Sequence, residues 1–134
     1  MSKLITQTQH HLNYNEFLHL LKLDEPYISF RPRVICQDGF SVSIQAGFGN
    51  YCYPRDFSGN YSQVELGYPS DTVYSWLPYM EGDLEFTNPT DTVYAYVPTV
   101  LVYSELIKHG TLSLNQETQF RYVQENLRHV YDNF

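Results

Sequence analysis

Basic residues are scarce in this chain, and between Arg55 and Lys108 there are none. Eight Lys and Arg stand against fifteen Asp and Glu in 134 residues, a net charge of −7. The gap itself holds Asp56, Glu65, Asp71, Glu81, Asp83, Glu85, Asp91 and Glu105. Binding nucleic acid through its phosphates needs Lys and Arg on a shared face, so this distribution argues against a direct nucleic-acid role. Cysteine is equally spare. Cys36 and Cys52 are the only two, without a CxxC, and the five histidines are scattered. Structural zinc wants Cys and His in close pairs, so no metal site and no cofactor is expected. In a reducing compartment the two cysteines read as free thiols. Long apolar runs are missing as well. None approaches the roughly 18–20 residues of a membrane span, and MSKLITQTQHHLNYN lacks a signal peptide's apolar stretch. GxGxxG, GxxxxGK[ST] and GxSxG are absent, which removes the usual markers of phosphate-loop and elbow-type chemistry.

What is present suits one soluble, intracellular domain spanning 1–134. Apolar residues at 43% and charged residues at 17% are too apolar and too weakly charged for a disordered chain. Asn13 and Glu16 form a capping box, so a helix is predicted over 13–23, closed by Asp24, Glu25 and Pro26. Tyr14, Phe17, Leu18 and Leu21 would share its sheet-facing side. Asp38-Gly39 lies between the alternating runs RVICQ and FSVSIQA, the signature of a two-residue hairpin over 33–46. That turn pairs Cys36 with Ser41 and Ile35 with Val42. It places Ile35, Phe40, Val42 and Ile44 in the core, with Val34, Cys36, Ser41 and Ser43 outside.

Further on, AGFGNYCYPRDFSGNY reads as an irregular loop and a third strand is expected near 61–67. PSDTVYSWLP at 69–78 is echoed by PTDTVYAYVP at 89–98. Two copies are too few for a solenoid, and they need not share a conformation. The first is predicted as a helical turn over 70–79, the second as a strand near 92–97, with an acidic loop at 81–91 between. The echo is read as packing-driven, against a pseudo-twofold pair of binding turns. Helices are predicted over 99–109, stopped by Gly110, and over 115–131, started by Ser113 and Gln116. The fold class is therefore α+β: a small antiparallel sheet with flanking helices.

Two compositional features bear on function. Thirteen tyrosines are present, and Tyr51, Tyr53, Tyr61, Tyr68, Tyr74, Tyr79, Tyr94 and Tyr96 fall within or beside the acidic half. Tyrosine gives rigid contact area with a polar tip, so these either fill the core or form an interface. An acidic face meets basic protein surfaces and speeds association with them, or simply maintains solubility. The loop YCYPRD concentrates the reactive types. Arg55 near Cys52 would lower a thiol's pKa, but no histidine lies between His19 and His109 to act as its base. A packed thiol and a loop-anchoring arginine are the stronger reading there. Glu81, Asp83 and Glu85 alternate in a loop, which is weak support for a paired-carboxylate hydrolase.

CQDGFSVSIQA (36–46), YCYPR (51–55), VELGYPS (64–70) and DTVYAYVP leading into a helix ending KHG (91–110) together resemble a family of small uncharacterised proteins of tailed phages and prophages. The resemblance covers about half the chain and carries no catalytic residue. It implies a phage gene expressed in the cytoplasm of a bacterial host, in company with inhibitors of host defences, anti-CRISPR proteins among them. The first expectation is thus a non-enzymatic inhibitor that binds a basic surface on a host defence complex. Glu81, Asp83 and Glu85 would be its charge contacts, and Tyr74, Trp76 and Tyr79 its anchors. The second is a small-ligand binder that sequesters a nucleotide signal, with Arg55 on the phosphate and Tyr51 and Tyr53 stacking the base. A Cys52-dependent enzyme is the third. A homodimer is compatible with all three.

Overall fold

Asp38 sets the geometry of the first hairpin. In the computed structural model, which describes residues 12–22, 31–56 and 59–113, its Oδ1 accepts the Phe40 N–H at 2.9 Å. Gly39 N–H donates to Cys36 O at 3.0 Å and Cys36 N–H to Phe40 O at 2.8 Å. Gly39 takes φ +95, a left-handed conformation that favours glycine. The connection is therefore a three-residue loop, one longer than the two-residue turn expected from Asp38-Gly39. Strands β1 (Val34–Ile35) and β2 (Ser41–Gln45) pair Val34 with Val42 and Ile35 with Ser41. A one-residue slip turns every side chain of a strand over. Val34 and Cys36 consequently lie in the core beside Phe40, Val42 and Ile44, and Ile35 is 42% exposed, reversing the expected assignment of these three β1-side residues.

β3 (Gln63–Gly67) and β4 (Val93–Pro98) complete an antiparallel sheet in the order β1-β2-β3-β4. With helices α1 (Tyr14–Leu21) and α2 (Thr99–Lys108) and a 3₁₀ helix at Tyr74–Tyr79, the fold is α+β. Asn13 caps α1 as its sequence implies: its side chain accepts the Glu16 N–H at 2.8 Å, and Glu16 returns the bond to the Asn13 N–H at 2.9 Å. The face it buries is Phe17, Leu20 and Leu21, with Leu18 only half-buried. The helix turns this way because its partner is α2: Tyr103 lies 5.4 Å from the Tyr14 ring and 5.8 Å from Phe17, and its hydroxyl donates to Leu12 O. The stop at Asp24–Pro26 and the helix expected over 115–131 lie outside the described residues.

Val42, Ile44, Val64, Leu66, Tyr94 and Val97 form the buried face of the sheet, with Val102 and Leu106 from α2, Trp76 and Leu112 in the same core. Two polar devices hold the ends of this assembly. The Arg31 side chain, fully buried, donates from Nε to Leu21 O at 2.8 Å, from Nη1 to Ala46 O at 2.8 Å, and from Nη2 to Leu21 O. At the opposite end of β2, His109 Nδ1 meets Asp38 Oδ2 at 2.6 Å and Nε2 meets Glu105 Oε2 at 2.9 Å, while Phe40 stacks on the imidazole at 4.2 Å. Desolvation alone would lower the His109 pKa, but the hydrogen bonds and charges of Asp38 and Glu105 outweigh it and hold it above the ordinary imidazole value. The Phe40 N–H, then His109, hold the Asp38 carboxyl below its usual range.

Two expectations follow. The Arg31→Met variant leaves the carbonyls of Leu21 and Ala46 without donors, at about 3 kcal/mol, which thermal unfolding reads as a Tm drop of roughly 10 °C; an unchanged Tm contradicts the role given to Arg31. The second concerns pH. Because the folded His109 pKa is raised, its contribution is complete below the unfolded value of about 6.5 and disappears as pH climbs through the folded value. The stability gap between the wild type and His109→Gln, measured by urea unfolding across pH 5 to 9 (roughly the window of imidazole titration), narrows at the alkaline end; a gap that widens there contradicts the clasp.

Candidate functional site

Residues 80–92 leave the sheet and return to it as a loop fastened at its base. Met80 bridges to Tyr94, Glu81 N–H donates to Val93 O at 2.9 Å, and Thr92 Oγ1 donates to Glu81 O at 2.9 Å. Inside, Asp83 Oδ1 accepts the Glu85 N–H at 3.0 Å and Asp83 O accepts the Phe86 N–H at 2.9 Å. Asn88 repeats the device, its Oδ1 accepting from the Thr90 N–H and hydroxyl and its carbonyl from the Asp91 N–H. Gly82 sits at φ +99, where a Cβ would lie 2.5 Å from Thr87 Oγ1, so the loop closes on itself here only with glycine. The Tyr94 hydroxyl donates to Pro89 O at 2.5 Å from the core side.

This frame presents Glu81, Asp83 and Glu85 to solvent, as the sequence reading placed them. It also presents two residues that reading passed over: Leu84, 57% exposed, and Phe86, 82% exposed. Their signal was the alternation Asp83-Leu84-Glu85-Phe86, apolar side chains in a segment too polar to be a strand. The 3₁₀ helix beside the loop has three residues per turn, so Val73, Trp76 and Tyr79 form one column and Tyr74 and Leu77 another. Tyr74 is accordingly 79% exposed. Trp76 is fully buried, 6.0 Å from Phe40 and 6.4 Å from Tyr94, and cannot serve as the surface anchor expected of it. Tyr79 is half-buried against the core.

A second cluster sits on the other face of the sheet. After Ala46 the chain leaves β2, crosses β3 and rejoins it at Tyr53, which pairs with Gln63. On the way Tyr51 N–H donates to Glu65 Oε1 at 2.9 Å, and Tyr51 O accepts the Tyr96 N–H at 3.0 Å. β4 carries a bulge here, Ala95 and Tyr96 standing opposite Glu65. Tyr96 takes φ +54, a left-handed conformation costing a non-glycine residue on the order of 1–2 kcal/mol. The bulge turns its ring outward, 5.9 Å from the Tyr51 ring. Arg55 lies over Tyr51 with Cζ 5.7 Å from the ring centroid, and its one hydrogen bond among the described residues, to Phe48 O, is long at 3.4 Å. The structure thus joins Arg55 to Tyr51 as the sequence suggested and adds Tyr96. Tyr53 and Phe48 are exposed in the same loop. Asn50 Oδ1, buried in that loop, has no hydrogen-bond partner among the described residues.

The thiols are differently placed. Cys52 Sγ is buried in a backbone nest, accepting from Gly47 N–H at 3.2 Å and facing Gly47 O and Pro54 O. Desolvation raises its pKa, an effect that the Gly47 N–H, Arg55 and Arg31 offset only in part. Burial, then the charges of Asp38 and Glu105, push the Cys36 thiol up to about 12. Both are packing groups, and Cys52 has neither the exposure nor the lowered pKa of a nucleophile. Among the described residues no group of three His, Cys, Asp or Glu side chains is placed to hold a metal, and no helix is long and apolar enough to cross a membrane.

Compared with family models, curated proteins and solved structures, the chain matches none.

Neither thiol is expected to react with a disulfide reagent such as DTNB at pH 8 (about the intrinsic pKa of a free thiol) until the protein unfolds. Immediate labelling of Cys52 in the native protein contradicts its burial.

Proposed function

We propose that this protein acts by binding: the 81–86 loop docks on a protein whose surface is basic around an apolar pocket, and blocks it. The observation that carries this reading is Phe86, 82% exposed at the tip of a loop whose shape its own hydrogen bonds fix. An exposed phenylalanine forgoes roughly 2–3 kcal/mol of burial, and here it stands among three carboxylates. An aromatic anchor within a ring of charge is the form of an interface hot spot and its rim. Preorganisation adds to affinity, because the loop loses little freedom on docking.

The partner's chemistry follows from complementarity. Eight acids and no Lys or Arg between Arg55 and Lys108 favour a partner rich in Lys and Arg. Proteins that grip nucleic-acid phosphates carry such surfaces. With the resemblance to small proteins of tailed phages, the target is a defence complex in the cytoplasm of a bacterial host, blocked in the manner of an anti-CRISPR protein. A second copy of this chain is a poorer partner for the loop, since its three carboxylates would meet three more.

The test uses tagged protein in host lysate, read by native mass spectrometry, followed by affinity measurement on the partner found. A stoichiometric partner is expected, released as salt rises and lost in the E81K/D83K/E85K variant. Phe86→Ala is expected to weaken it by roughly 30-fold or more. A partner held equally well by both variants, or no partner at all, overturns the reading.

A further inference from the structure

The Tyr51 platform lies apart from the docking loop, and its chemistry is of a different kind. Phe48, Tyr51 and Tyr53 on the 47–56 crossing, with Tyr96 of β4 beside Tyr51, expose aromatic surface. Arg55, which is exposed, is held by stacking on Tyr51 and one long bond to a carbonyl, and among the described residues no carboxylate pairs with it. Its remaining N–H donors face solvent, open to an anionic partner from outside the chain. Glu65 is fixed by the Tyr51 N–H on one carboxylate oxygen, leaving the other to accept.

We infer that this platform is a nucleotide site, taking a planar base with a single phosphate. The three parts match in kind. The Tyr53 ring and the outer plane of the Arg55 guanidinium offer stacking faces, the Arg55 fork binds the phosphate, and Glu65 accepts from an exocyclic amine or a ribose hydroxyl. Net charge selects against the longer polymers: the chain carries −7 overall, and among the described residues Arg55 is the one exposed arginine, with no basic track for a strand of phosphates. A monophosphate brings little repulsion. Nor does the site reuse the docking loop, so the two readings stand or fall separately.

The experiment is an NMR titration of the full chain with AMP and GMP, with adenosine and inorganic phosphate as half-ligands. Saturable shifts are expected at Phe48, Tyr51, Tyr53, Arg55, Glu65 and Tyr96 with at least one monophosphate. Each half-ligand should bind roughly tenfold or more weakly than that nucleotide. Arg55→Gln, at an exposed position, should weaken binding by about tenfold. Tyr53→Ala should weaken it by a similar factor, about tenfold, through lost stacking. E81K/D83K/E85K should bind the nucleotide at least as well as the wild type. Absence of saturable shifts with both nucleotides, shifts elsewhere on the surface, or binding unchanged in Arg55→Gln each overturns the assignment. A protein partner lost in Arg55→Gln while neither nucleotide binds would mark the platform as a second protein interface instead.

Discussion

Arg31 is the interaction on which the rest of this structure depends. Its guanidinium, fully buried, supplies donors to the last carbonyls of α1 through Leu21 and to the end of β2 through Ala46. Its own backbone is claimed by one side chain: Gln45 Oε1 accepts the Arg31 N–H and Gln45 Nε2 donates to Arg31 O, both at 2.8 Å. Its charge lies 5.7 Å from the Tyr61 ring centroid. Burial lowers the Arg31 pKa, and the Tyr61 phenol opposes that shift. Tyr61 in turn donates from its hydroxyl to Asp56 O and accepts at its carbonyl from Thr99 Oγ1, the first residue of α2. One buried cation therefore ties the end of α1, the end of β2 and, through Tyr61, Asp56 and the start of α2. An aliphatic side chain of equal volume would leave the helix-end and strand-end carbonyls unsatisfied, so the fold is specified here by donors rather than by packing.

With that end fixed and the His109 clasp closing the other, the 47–56 and 81–91 loops can be displayed without loosening the core. The 47–56 crossing hangs between Ala46 and Tyr61, both reached by Arg31. The 81–91 loop is seated on β4 through Val93 and on the core through the Tyr94 hydroxyl. Like Tyr68 and Thr111 elsewhere in the fold, Tyr96, where the aromatic platform begins, is in the left-handed region. Such strain persists only where surroundings determine it, here the Tyr51 carbonyl and the bulge opposite Glu65.

The sequence carried the local elements well and the tertiary choices poorly, for reasons that can be named. The Asn13–Glu16 box and the two conformations of the echoed decapeptide rest on short-range chemistry, and both are as expected. The hairpin forms where Asp38-Gly39 puts it, but its register lies one residue from the expected one. An Asp side chain bonded to the Phe40 N–H favours the longer turn, and its other oxygen is held by His109 from 71 residues away. No local pattern contains that contact. Trp76 looked like an anchor because tryptophans at surfaces often are. Only the three-residue period of a 3₁₀ helix shows that it shares a column with Val73 and faces the core. The importance of Arg31 was invisible for the opposite reason: in sequence it is one arginine beside Pro32 and Arg33, and its role is made by Leu21, Ala46 and Tyr61. Of the residues proposed to bind, Glu81, Asp83 and Glu85 are legible in the sequence as charge, while Leu84 and Phe86 emerge only because the loop faces solvent.

Docking by the 81–91 loop, as proposed, requires it to be preformed in the free protein, a fixed shape on a fixed frame. Backbone ¹⁵N relaxation of the isolated protein measures this directly. Order parameters for Glu81 to Asp91 close to those of β3 and β4, about 0.85 as in rigid backbone, are the predicted result. Values below about 0.6 across Asp83 to Phe86 would show a loop that samples many shapes, and would contradict a docking element built before its partner arrives.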